Sequence, residues 1–241
     1  MYLGKGTDDS HFVLRCFPRS FDPVIAPDKT LWIAHYDYGR NPETMEITLP
    51  YYFCSYFQSK DNGKSFKLKS FIPYTPGKLN FPEAFKEEGF CEPCLHFAPD
   101  GSMITILRTG SRNFSISSPC YIARSIDGIN WSEPLMFDTF GVWPQLLALK
   151  CGVTLASYGR PGVFLRATDD ESCTNWQDAI EILKDTGENL KDNLPDTCGY
   201  TALLEIDDNT ALMVYTDFTK KDKDGINRKC VMSRIIHIEK A

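Results

Sequence analysis

The chain reads as an all-β protein assembled from repeated antiparallel units, each on the scale of a four-stranded propeller blade. Three observations predict this class: an outline of strand, turn and strand that recurs four times, a second recurring turn built on Ser, Asp and Gly, and a scarcity of helix-periodic sequence. The four segments are DPVIAPDKTLWIAHY (22–36), EPCLHFAPDGSMITIL (92–107), WPQLLALKCGVTLASY (143–158) and GYTALLEIDDNTALMVY (199–215). In the first three, Pro occupies the second position, which suits the first residue of a strand, where no ladder donor is lost. The unit recurs roughly every 50 to 70 residues, the spacing of propeller blades.

The second element is the turn. SKDNGKSF (59–66) and SIDGINW (125–131) place Ser, Asp and Gly ahead of a terminal aromatic, and ATDDESCTNW (167–176) is an enlarged copy without Gly. The Asp carboxylate accepts backbone N–H bonds inside a tight hairpin, Gly supplies positive φ, and the aromatic folds under the turn. Asp61, Asp127 and Asp169 are therefore expected to form turns and not to act as catalytic acids.

Helix-like composition is confined to FPEAFKEEG (81–89) and QDAIEILKDTGENLKDNL (177–194), both between repeats. TKKDKDGINRKC (219–230) reads as a charged hairpin inside the last blade. No low-complexity linker divides residues 1–241, so a single domain is expected.

Composition narrows the function. With 241 residues, 42% of them hydrophobic, the chain can bury a full core. A net charge of −6 and the absence of a Lys/Arg-rich run argue against nucleic acid or an anionic membrane as partner. Any anion must be held by a few local arginines. The start, MYLGKGTDDSHFVL, lacks the basic and apolar regions of a secretory signal, which predicts a cytoplasmic chain as given.

Nine dispersed cysteines read as reduced, buried, small apolar side chains. Cys91 and Cys94 have Cys-x-x-Cys spacing, but no second pair completes a zinc site, and Leu95 and Phe97 continue the alternation of a strand. Neither a metal nor an organic cofactor is expected.

The turns resemble the Asp-box repeats of the sialidase (neuraminidase) superfamily, and the likeness covers nearly the whole chain from about residue 20. The resemblance implies a six-bladed sialidase-like β-propeller of four-stranded antiparallel blades, of which about four are visible here. Its active-site pattern is matched in order by Glu92, Arg108, Arg160 and Tyr200. On that reading Arg108 and Arg160 bind the carboxylate of a sialic acid, Tyr200 is the nucleophile, and Glu92 takes its proton. Tyrosine nucleophiles are a recognised exception among glycosidases.

The resemblance implies release of terminal sialic acid, or a related acidic sugar, by a retaining mechanism, with a sialylated glycan as partner. Two alternatives stand beside it: a catalytically inactive carbohydrate-binding or interaction propeller, and another glycosidase or lyase on the same fold. The family's early Arg-Ile-Pro motif is replaced by Phe21-Asp22-Pro23, leaving Arg15, Arg19, Arg40, Asp37 and Glu43 as candidates for the first arginine and the general acid. A ring lacking N-terminal blades would expose apolar faces and self-associate into homo-oligomers.

Overall fold

A computed structural model describes residues 23–40, 47–77, 87–111, 119–186 and 196–239. Arg15, Cys16, Arg19, Phe21, Asp22 and Glu43 lie outside the described residues, as do 81–86 and 187–194 of the two helix-like stretches. Among the described residues there are fifteen β-strands and no helix. The rest of each helix-like stretch is extended where it is regular: 87–89 begin strand β5 (Glu87–Phe97), and Ile180–Leu183 form β12. Ile180, Glu181 and Leu183 pair with Leu165, Phe164 and Val163 of β11, and this ladder overrides a helix-like composition.

Each of the four repeated segments folds as a hairpin. They form β1 (Val24–Ile25) with β2 (Leu31–Arg40), β5 with β6 (Met103–Ser111), β9 (Val142–Ala148) with β10 (Thr154–Gly159), and β13 (Thr201–Asp207) with β14 (Thr210–Asp217). Further strands complete each meander: β3 (Ile47–Ser59) and β4 (Lys67–Ile72), β7 (Cys120–Ser125) and β8 (Leu135–Asp138), β11 (Val163–Thr168) and β12, and β15 (Cys230–His237). Three four-stranded meanders and one three-stranded meander result. All strands pair antiparallel except at one bridge, where Tyr52 of β3 meets Gly89 of β5 in parallel. Gly89 has φ +98°, and a Cβ there would lie 2.2 Å from the Tyr52 carbonyl oxygen, so only glycine allows that approach.

The chain forms two compact units, residues 1–97 with 101–137, and 98–100 with 138–241. In the first, Trp32, Cys54, Tyr56, Phe90, Leu95, Met103 and Leu107 form the core. The Tyr56 hydroxyl, fully buried, donates to Thr105 Oγ1 at 3.0 Å. In the second, Leu155, Val163, Leu165, Ala211, Met213 and Tyr215 do so. The alternation along β14 places every second residue in this core, as a half-covered strand requires.

The Ser-Asp turns close the third and fourth strands of each four-stranded meander. Asp61 accepts from the Ser65 hydroxyl at 2.6 Å, the Ser65 amide at 2.9 Å and the Ser59 hydroxyl at 2.7 Å, which lowers its carboxyl to about 2. Asp127 accepts the Asn130 and Ile129 amides at 2.7 and 2.8 Å and is held lower still. The plug residue Trp131 packs on Tyr56 with ring centroids 4.4 Å apart and donates to Ser70 Oγ at 2.9 Å.

In the third turn these bonds go to Asp170, the neighbour of Asp169. Asp170 accepts the Ser172, Thr174 and Asn175 amides at 2.9 to 3.1 Å, led by Ser172, and is lowered to about 2. Spacing explains the choice: Ser59, Ser125 and Thr168 each stand two residues before the carboxylate that closes the turn. Cys173, with φ +53°, supplies a left-handed residue in this turn, which has no glycine. TKKDKDGINRKC is the expected charged hairpin, centred on Asp222 and Gly225 between β14 and β15.

Candidate functional site

One backbone irregularity recurs in three of the hairpins. Glu92, Trp143 and Gly199 have φ of +45°, +48° and +74°, and each stands two residues before a ladder pair: Cys94 with Ile106 and Gln145 with Ser157, where pairing resumes after a break in register, and Thr201 with Tyr215, where it starts. Glu92 and Trp143 also precede prolines, which restrict the preceding residue to extended backbone. Left-handed backbone in a non-glycine residue costs about 1–2 kcal/mol and persists where the surroundings over-determine it, typically at sites that work.

In the first unit this irregularity presents a carboxylate. Glu92 sits in a bulge of β5 between the Cys91–Arg108 and Cys94–Ile106 pairs. Its side chain is buried, and Arg108 Nη1 on β6 donates to Glu92 Oε1 at 2.7 Å. Sequence reasoning set Arg108 on a substrate carboxylate and Glu92 beside Tyr200; in the structure Arg108 is committed to Glu92. Cys91 and Cys94 are buried and flank it, and burial pushes the nearby Cys54 thiol well above its usual range. These sulfurs pack. Asp37, on β2, accepts the Tyr38 amide at 2.7 Å, beside a Tyr38–Tyr52 stack of 4.0 Å.

In the second unit the irregularity presents aromatic surface. The Trp143 ring stacks on Tyr200 with centroids 4.9 Å apart and planes 21° from parallel. The Arg160 guanidinium lies 5.9 Å from the Tyr200 ring centre and donates through Nη2 to the Cys198 carbonyl at 2.9 Å. Tyr200 is 40% exposed, so one surface of this stack meets solvent. Two glycines bring the partners together: a Cβ on Gly159 would lie 2.4 Å from the Gly199 carbonyl oxygen.

The segment leading to Tyr200 is anchored from beneath. Asp196, fully buried, accepts the Thr186 amide at 2.6 Å and its hydroxyl at 2.7 Å, and its carbonyl takes the Phe218 amide. The Thr197 hydroxyl bonds Thr216 and the Gly199 amide, and Ser157 bonds Thr201 at 2.8 Å. Beside it, Asp138 joins Tyr158 at 2.6 Å and Arg166 at 3.1 Å in a closed network.

The structure therefore pairs Glu92 with Arg108, and Arg160 with Tyr200. Sequence reasoning missed Trp143 and Asp196. The signal for Trp143 was present, since WPQ stands in the column that EPC fills one repeat earlier. Asp196 carried none, because its role depends on Thr186 and on the strand it anchors. Among the described residues, no group of three or more His, Cys, Asp or Glu is placed to hold a metal ion, and no helix is long and apolar enough to cross a membrane.

These meanders define an all-β protein of propeller-blade construction. No family model and no curated protein matches the chain. Solved structures of β-propeller glycosidases do. An α-L-arabinanase of Penicillium chrysogenum is 17% identical with a TM-score of 0.58, over 94% of this chain and 64% of that one. An α-L-arabinofuranosidase of Fusarium graminearum is 16% identical with a TM-score of 0.57, over 90% and 62%. A xylan β-1,4-xylosidase of Bacillus halodurans is 15% identical with a TM-score of 0.54, over 90% and 39%. The chain spans less than two thirds of the length of each of these proteins. At this identity the likeness establishes the fold.

The resemblance to sialidases is overturned by these neighbours, and the tyrosyl mechanism rested on that resemblance alone. The Ser-Asp turns that suggested it are real, but they are local hydrogen-bonded closures and carry no family identity. The arginine forks meant for a substrate carboxylate are engaged within the protein, Arg108 by Glu92 and Arg160 by Cys198 and Tyr200.

Proposed function

We propose that this chain is a propeller glycoside hydrolase, or the larger part of one, acting on a neutral pentose-containing saccharide. The observation that carries the reading is Glu92: a buried carboxylate on left-handed backbone, in a bulge, fixed by an arginine. Glycoside hydrolysis needs two carboxylates, one to protonate the leaving oxygen and one to act as base or nucleophile. An ion-paired carboxylate suits the second task. We assign it to Glu92, with Asp37 as the second carboxylate that the sequence singles out. Trp143 and Tyr200 supply the flat apolar surface on which the C–H face of a sugar ring stacks. Neutral pentoses are supported by the neighbours, an arabinanase holding arabinobiose, arabinofuranosidases and a xylosidase.

The test is release of nitrophenol from the α-L-arabinofuranoside and the β-D-xyloside, beside a sialic acid glycoside, together with calorimetric titration of arabinobiose. We expect turnover of a pentoside, lowered about a hundredfold to ten-thousandfold in Glu92→Gln. Binding of arabinobiose without turnover would favour an inactive carbohydrate-binding propeller, a reading supported by the exposed Trp143–Tyr200 stack. Neither binding nor turnover of any pentoside would overturn the proposal.

A further inference from the structure

We propose that one face of the β3–β4 hairpin is a second binding site, which takes the oxyanions of an acidic saccharide. A cavity of about 300 Å³ there is lined by Gln58, Lys60, Asp61, Ser65, Lys67 and Lys69. Register explains the convergence. Gln58 is the direct ladder partner of Lys67, Lys60 follows Gln58 by two, and Lys69 is the extra residue of a register break in β4, which lets it line the cavity together with Lys67. Three lysines and one carboxylate thus line one space, a local charge of +2 in a chain whose net charge is −6.

The carboxylates at hand are occupied. Asp61 is bound into its turn by the Ser59 and Ser65 hydroxyls and the Ser65 amide. Asp28, within electrostatic reach of Lys60, takes the Thr30 amide and hydroxyl. Among the described residues, none of the three lysines has a carboxylate within ion-pair distance, although Lys150, Lys220 and Arg228 elsewhere do. Lysines that serve only to guard an exposed strand from pairing need no common focus; these share a cavity.

The donor type selects the ligand. Ammonium groups on flexible stems are point charges that accept sulfate, phosphate or carboxylate alike, without the planar match an arginine demands. Lys67 and Lys69 stand about 7 Å apart along the strand, a row that fits repeated charges on a linear chain better than one compact ion. The shared chemistry is the oxyanion, carried on a polysaccharide or free in solution.

The site is independent of the catalytic reading, and its test does not use activity. Polygalacturonate, neutral arabinan and inorganic phosphate would each be titrated calorimetrically at constant ionic strength into wild type, Lys67→Gln/Lys69→Gln, and a control, Lys221→Gln/Lys223→Gln, after melting curves establish that all three are folded. We expect polygalacturonate to bind wild type and the control equally and to lose about tenfold in affinity with the paired cavity variant, and arabinan affinity not to depend on these lysines. Phosphate binding with the same lysine dependence, without polygalacturonate binding, would keep the oxyanion site and overturn its saccharide source. Binding of neither anion, or equal loss in both variants, would overturn the site.

Discussion

Replacing Glu92 by Gln removes a charge while keeping shape, and the structure sets what that costs. The Glu92 and Arg108 side chains are 7% and 14% exposed and meet at 2.7 Å. Truncating one partner of a buried pair leaves the other charge desolvated and costs about 3–5 kcal/mol. Gln keeps a hydrogen bond to Arg108, which places the change near about 3 kcal/mol, or a fall of about 6–12 °C in Tm for a protein of this size. Arg108→Met should cost a similar amount. The double variant should be more stable than the sum of the two predicts, by about 2 kcal/mol or more. Urea titration followed by tryptophan fluorescence reads this, since Trp32 and Trp131 lie in the same unit. Backbone strain adds a second signature. Glu92→Gly should be about 1 kcal/mol more stable than Glu92→Ala, because glycine adopts φ +45° freely. Single variants that each cost less than about 1 kcal/mol, with additive effects, would refute a buried, strained ion pair.

Other consequences are open to measurement. Gly89→Ala should destabilise by at least about 3 kcal/mol, because its Cβ would meet backbone atoms of Tyr52 at 2.2 and 2.6 Å; a melting curve close to wild type would contradict that packing. The turn carboxylates Asp61, Asp127 and Asp170 titrate below their unfolded value in the folded chain, so the stability they add is complete above about pH 4 and is lost as pH falls toward 2. Asn at all three positions should flatten the fall of the urea midpoint across that window, and an unchanged slope would exclude them as its source. Burial holds His96 down at about 4, against about 6.5 unfolded. Its contribution is therefore full above pH 6.5 and fades as pH falls from 6.5 to 4, by about 2 kcal/mol once its partial exposure is allowed for; His96→Gln should remove that dependence, as equilibrium unfolding at stepped pH would reveal.

Much of the fold was legible because its signals are local. The four hairpins could be placed from Pro, Gly and Asp punctuation alone, and two of three turn carboxylates followed from Ser-x-Asp spacing. In the third copy the expectation fell on Asp169, whereas the geometry is set by the hydroxyl two residues upstream, Thr168, which selects Asp170. Ile180–Leu183 looked helical by composition, and only its ladder with β11, invisible from sequence, makes it a strand. The partnering of the site residues was not legible: sequence reasoning set Glu92 beside Tyr200 and Arg108 beside Arg160, whereas Arg108 bonds Glu92 within one hairpin and Arg160, after the third repeat, lies against Tyr200 at the start of the fourth. The family assignment failed for a related reason: a turn that any hairpin can adopt was given the weight of a lineage, and the arginines judged ready for a substrate were already satisfied by their neighbours.

The left-handed position shared by Glu92, Trp143 and Gly199 behaves as a standard mount. A hairpin of the same plan lies beneath it whether the mount bears an acid, an indole or nothing, although each fitting has its own anchorage, as Arg108 shows for Glu92. A chain made of such repeats can acquire a new chemistry by one substitution at one column, without redesign of core or hairpin. Variation in what such a protein acts on would then be concentrated at the mounts, while the turns that close the blades stay alike.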